Sequence, residues 1–279
     1  MQRRNRNDAI HLVLVVALAA IASFAGPVAQ AKEAATPEFL TGATRPDSIA
    51  LLPVRAEMIQ RKMLSAEDMI KESEALEAWA AEYLAIFLKE KGYSVKALKV
   101  DQISADSELQ ELVLHANKRY DEEHQQLSRK PNRVKKRRYS AGDEAVELAG
   151  KLGVSAVVFA RIQAVAQSAK TSWIPGGMAT VILELSVTNG VTGDVEAYFS
   201  TVMVTSFKKI TKAPKPTMKK LARKVAKKFP AADEVIEADG STLKADLTKP
   251  KGEDEVITEL ETLLETESAE GSADSKPKK

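Results

Sequence analysis

The chain has 279 residues, no cysteine, and 41 Lys and Arg against 39 Asp and Glu, a formal charge of +2. The missing thiol excludes disulfides, thiolate metal sites, cysteine nucleophiles and lipid attachment through a lipobox cysteine. Near-neutrality hides a split: residues 230–279 hold 14 acidic residues and 6 Lys, whereas residues 32–229 carry a net +8, which reads as a basic body with an acidic tail.

The amino terminus has three parts. Arg3, Arg4 and Arg6 precede a mostly apolar run from Leu12 to Ala25, and Ala29-Gln30-Ala31 follows Pro27. This is the layout of a secretory signal peptide, with small residues at −3 and −1. Spanning a bilayer takes about 20 apolar residues, and the core here is shorter. The expected cut falls after Ala31, leaving a mature chain that starts at Lys32. The alternative is an uncleaved anchor. Export without disulfides places the protein in a bacterial periplasm, or secreted, with a body that must rest on its own core. About 200 residues are enough to build one.

Residues 32–47 read as a polar lead-in. A short apolar run, Ser48 to Val54, predicts a buried strand closed by Pro53. From Ser65 the pattern turns helical: Ile70, Leu76, Trp79, Ala80, Tyr83, Leu84, Phe87 and Leu88 recur at three- and four-residue steps. Ser65 with Asp68 resembles a capping box, and Lys91-Gly92 a stop. A second strand is expected over residues 93–100. A helix marked by Leu109, Leu112, Val113, Ala116 and Tyr120 follows, fading into residues 121–126. Then come a basic loop over 129–138, a short helix from Asp143 to Leu152 and an apolar strand over 154–162. Val181, Leu183, Leu185 and Val187 alternate, as do Val195, Ala197, Phe199 and Thr201. The turn formers of residues 189–194 join them into a β-hairpin. A last helix sets Met218, Leu221, Ala222, Val225 and Phe229 against a face of six Lys and Arg.

Helices alternating with strands early and a hairpin late predict an α/β fold, a mixed sheet of about five strands packed with helices. Residues 48–229 form that domain. Residues 230–279 are low in aromatic and apolar content and read as a disordered acidic tail, apart from an amphipathic island at Val256, Ile257, Leu260, Leu263 and Leu264.

Three segments resemble a known pattern: the opening strand Ile49-Ala50-Leu51-Leu52-Pro53; Leu152-Gly153-Val154-Ser155-Ala156-Val157-Val158-Phe159-Ala160; and Val187-Thr188-Asn189-Gly190-Val191-Thr192-Gly193-Asp194. Together they look like the bacterial envelope superfamily that includes the curli secretion lipoprotein CsgG, the penicillin-binding-protein activator LpoB and the TolB amino-terminal domain. The hairpin Asp usual in that pattern is Asn189 here, and the lipobox cysteine is absent. The resemblance implies a TolB-N/CsgG-like α/β sandwich and a non-enzymatic accessory module that works by protein contact.

Candidate chemistry is sparse. His115 and His124 lie nine residues apart, on opposite sides of one helix, and read as solvated; no metal, cofactor or catalytic set is expected. Gly176-Gly177 and Thr192-Gly193 precede strands and read as turns. Arg133, Lys135, Lys136, Arg137 and Arg138 form the sharpest charge feature. Export and the scarcity of stacking aromatics argue against nucleic acid. An anionic membrane surface, a cell-wall polymer or an acidic protein surface fits better. A solvated loop, or a contact with the acidic tail, remains open. Trp173 and Ile174, in a loop of small and polar residues, are the preferred protein-contact site, the alternative being that Trp173 caps the sheet. Three functional readings follow: an accessory protein that binds another envelope component; a subunit of a homo-oligomeric envelope assembly or secretion complex; and an enzyme of unknown type, which only a buried cluster of carboxylates or histidines would support.

Overall fold

The computed structural model describes residues 31–61, 65–168 and 176–231. Residues 1–30 of the expected signal peptide, residues 232–279 of the expected acidic tail and the pair Trp173-Ile174 lie outside the described residues.

A mixed sheet carries helices on both faces. Its strands are β1 (Glu33–Ala35), β2 (Ser48–Leu51), β3 (Arg55–Arg61), β4 (Ala66–Asp68), β5 (Ser94–Ala97), β6 (Ala156–Gln167), β7 (Met178–Asn189) and β8 (Val195–Ser206). The helices are α1 (Pro37–Leu40), α2 (Ile70–Glu90), α3 (Val100–Ser104), α4 (Ser107–Arg129), α5 (Gly142–Leu152), α6 (Phe207–Lys212) and α7 (Lys215–Ala226), with a 3₁₀ turn over Pro131–Lys136.

The order across the sheet is β1-β8-β7-β6-β2-β5. Pro53, which has no N–H to donate, separates β2 from β3, and both then run parallel to β6. The first pairs with Ala156–Val158, the second with Arg161–Gln167. The antiparallel pairs are β6–β7, β7–β8, β1–β8 and β3–β4.

Eight strands stand where five are expected. The three extra ones lack a strand signature because they are short or half-covered. Glu33-Ala34-Ala35 has neither branched nor aromatic residues, yet Ala34 and Ala35 are buried against β8. Phe39, also in the polar lead-in, is fully buried between Phe199 and Phe229. Ala66–Asp68 pairs with β3, so the helix expected from Ser65 begins at Ile70 instead. Ile70, expected on the apolar stripe, is 69% exposed. Trp79 is half-buried, with the Lys215 ammonium over its ring.

On one face α2 and α7 cover the sheet along its full length. Leu76, Leu84, Met218, Leu221 and Val225 pack there on Leu51, Val158, Ile162, Val181 and Leu183. On the other face α3, α4 and α5 pack on Ala50, Leu52, Val157, Phe159 and Tyr198. Tyr120 of α4 stacks on Phe159 with centroids 4.4 Å apart.

The hairpin tip closes against this second layer. Asn189 accepts the N–H groups of Val191 and Thr192, and the Gly193 carbonyl accepts from Ala141. A Cβ at Gly190 would lie 2.8 Å from the Ser155 carbonyl oxygen, so only glycine fits this approach.

Candidate functional site

The basic segment is an ordered turn, not a loop. Val134 is buried beneath it, and the turn packs on β1, β8 and the end of α4. Lys135, Lys136, Arg137 and Arg138 are exposed, while Arg133 is half-buried. Arg137 closes the turn with φ +49° and sits 3.6 Å from the Glu38 carboxylate. The Lys face of α7 belongs to the opposite side of the sheet, so the two basic features do not merge.

Beneath the end of α4 lies a set of polar residues whose roles the sequence does not announce. Asp121 accepts two bonds from Arg55, at 2.7 and 2.8 Å, and one from Arg161 at 3.1 Å. Arg161 also faces His124 Nδ1 at 3.4 Å. Because a guanidinium only donates, Nδ1 must accept, which places the imidazole proton on Nε2. That nitrogen is 3.1 Å from a Glu184 oxygen. The other Glu184 oxygen accepts the Tyr198 hydroxyl. His124 is 5% exposed and Glu184 7%, so His124 is not the solvated histidine expected from its spacing; His115 is exposed.

Burial alone would raise the Glu184 pKa, but bonds from His124 and Tyr198 and the charge of Arg161 outweigh it and hold the carboxyl below its ordinary value. Burial and the adjacent Glu184 push the Tyr198 phenol well above its usual range. Two guanidinium groups thus face two carboxylates around the His124 ring. Tyr120 and Ser186 share a further bond of 2.8 Å nearby. No described oxygen or nitrogen stands here as an activated nucleophile beside a free base; the arrangement orients and locks α4 on the sheet. Among the described residues no group of three His, Asp or Glu is placed to hold a metal.

Past this network the apolar residues of the described second-face helices no longer pack on the sheet, and its residues are half-buried or exposed. Strand register defines two rows there: Glu57, Gln163, Ile182 and Val202; then Ile59, Val165, Thr180 and Val204. None of these eight is buried, whereas their neighbours on the other face, such as Ala164, Val181 and Leu183, are 0–1% exposed. A cleft of about 440 Å³, lined by Asp121, His124, Arg129, Arg161 and Gln163, opens where α4 ends and the rows begin.

The signal for this site lies in β7. Ile182, Glu184, Ser186 and Thr188 share one strand face, which reads as solvent-facing in the sequence but is half under α4 and half open. The preferred contact residues Trp173 and Ile174 fall on the segment joining β6 to β7 and lie outside the described residues.

The fold and site define an α/β sandwich with one sheet face fully covered and the other half open. No known protein family and no curated protein matches the chain. Solved structures do. The chain is similar to a PelC dodecamer from Paraburkholderia phytofirmans, at 10% identity over 72% of this chain and 99% of that one, with a TM-score of 0.37. Lipoprotein GNA1162 from Neisseria meningitidis matches at 14% identity over 65% and 96% of the two chains, TM-score 0.34. The LpoB C-terminal domain from Salmonella enterica matches at 13% over 62% and 96%, TM-score 0.25. LpoB is thus among the matched structures, as it is among the proteins that the sequence patterns resemble.

Proposed function

We propose that this chain is an exported, non-catalytic accessory protein of the bacterial envelope that binds another envelope protein through the open half of its sheet. One observation carries this reading. Ile59, Val165, Ile182, Val202 and Val204 form a contiguous apolar surface on rigid strands, and a contiguous apolar patch rimmed by polar groups is what a binding face offers.

Trp173 and Ile174, in the sequence between β6 and β7, belong to the same proposed contact. The exposed cations of the 3₁₀ turn supply a second, electrostatic contact to an anionic membrane surface or cell-wall polymer. Among the described residues no helix is long and apolar enough to cross a membrane. In this reading the leader is cleaved after Ala31.

The test is capture from native envelopes by crosslinking and pull-down. Ile182→Asp, placed on the open face, is expected to reduce partner recovery at least about tenfold while the thermal midpoint stays within about 2 °C of wild type. Unchanged recovery with an intact fold overturns the proposed face.

A further inference from the structure

Among the described residues the sheet has three open borders besides the outer side of the short β1, and they are not alike. At one, β4 is three residues long and carries Glu67 and Asp68. At another, β5 is four residues long and carries Lys96. Short length and charge are the devices by which proteins stop a sheet edge from pairing with another chain. The third border is β8, and it has neither device. β1 covers β8 only at Ala197–Phe199, and the Ser200 N–H donates to the Lys32 carbonyl at 2.7 Å. From there to Ser206 no described strand pairs with the outer side. The free run is Val202-Met203-Val204-Thr205-Ser206, with no charge, proline or glycine, and Val204 is 61% exposed.

Backbone direction follows from the same bond. Because Ser200 points its N–H outward, alternation along the strand points the N–H groups of Val202, Val204 and Ser206 outward as well. We infer that this edge is a self-association surface, pairing antiparallel with the same edge of a second copy of the chain.

A second copy fits for two reasons. The run is electrically neutral, so opposing it with itself brings no like charges together, which a charged edge could not avoid. Its length also fixes the register. Ser200 is already taken by Lys32, so matching the free run onto itself sets Val202 against the partner's Ser206 and centres the two-fold axis on Val204. Outward-pointing residues then face outward-pointing residues, as an antiparallel ladder requires, and Met203 faces the partner's Thr205 on the other side of the sheet. This surface is a backbone edge. It shares the side chains of Val202 and Val204 with the sheet face proposed for the envelope partner but works through their outward backbone groups, which Ile182→Asp leaves intact.

Measurement uses the mature chain, residues 32–279. Light scattering and sedimentation are expected to show a mass that doubles with concentration. Val204→Lys, which sets two ammonium groups opposite each other on the axis, should raise the midpoint of that transition at least about tenfold without lowering the thermal midpoint. Val204→Pro removes only an outward N–H and should act in the same direction. The chain has no cysteine of its own, so Val204→Cys reports geometry. Hydrogen-bonded antiparallel pairs set Cα atoms about 5.5 Å apart, within disulfide reach, and mild oxidation should give a covalent dimer. Val191→Cys, 80% exposed at the hairpin tip, should not. A wild-type chain that stays monomeric, equal crosslinking at both positions, or a dimer that survives Val204→Lys unchanged overturns the inference. So does association that appears only after residues 232–279 are removed, since a segment of the chain itself would then be the occupant.

Discussion

Glu184 shows how one residue interrupts a pattern. It sits between Leu183 and Leu185 in sequence but on the opposite face of β7, where it accepts the Tyr198 hydroxyl and has His124 Nε2 3.1 Å from its other oxygen. A carboxyl whose folded-state pKa lies below its unfolded value stabilises the fold fully above that unfolded value, 4.5 here, and loses the contribution as pH falls through the folded one. Glu184→Gln keeps the shape but opposes an amide N–H₂ to a hydrogen donor, at a cost of about 1–3 kcal/mol near neutral pH. The expected result is a lower melting temperature for Glu184→Gln at pH 7, with the gap to wild type narrowing as pH drops below 4.5. Melts from pH 7 to pH 3 check this, and a gap that stays constant would show the charge contributes nothing. A second residue-scale expectation concerns Gly190. A methyl there meets the Ser155 carbonyl and the Ala149 side chain at 2.8 Å, so Gly190→Ala should destabilise by about 1–3 kcal/mol, read from a denaturant midpoint.

At the scale of elements, legibility in the sequence tracks how completely an element is buried on one side. Helix α2 and the hairpin β7–β8 carry a strong period because one face of each lies in the core beside Leu76, Val181 and Leu183. Helix α4 is legible as far as Tyr120. It continues to Arg129, since His124 and Leu127 turn inward under polar cover that carries no apolar signal. Strands β1 and β4 are made by pairing, not by their own propensity, so Glu33-Ala34-Ala35 and Ala66-Glu67-Asp68 read as loop and helix start. The candidate site is hidden for a related reason. Alternation reveals which residues of β6 and β7 share a face, but not how far along the sheet α4 extends. That depends on where α4 crosses the strands, which the Tyr120–Phe159 stack and the Arg55–Asp121–Arg161 and His124–Glu184 contacts define together.

For the whole molecule, the expected export signal ends where the assembled sheet begins. The expected cut after Ala31 falls immediately before Lys32, whose carbonyl bonds Ser200 and whose ammonium reaches the Ser128 carbonyl at 2.7 Å. Processing at that bond therefore leaves β1 whole. The strand is short but sits between both cores: Ala35 packs with the α2 layer and Ala34 with the α4 layer. Losing it would expose two buried methyl groups, worth about 0.8 kcal/mol each, and break backbone bonds to β8 worth about 1 kcal/mol each. With two such bonds the sum is about 4 kcal/mol, which in a domain of this size lowers the melting temperature by about 8–16 °C. Amino-terminal sequencing of the exported protein is thus expected to read Lys32. A chain begun at Thr36 should melt that much lower than one begun at Lys32. A mature start beyond Glu33, or equal melting of the two chains within about 2 °C, would separate export processing from the integrity of the sheet and refute the link.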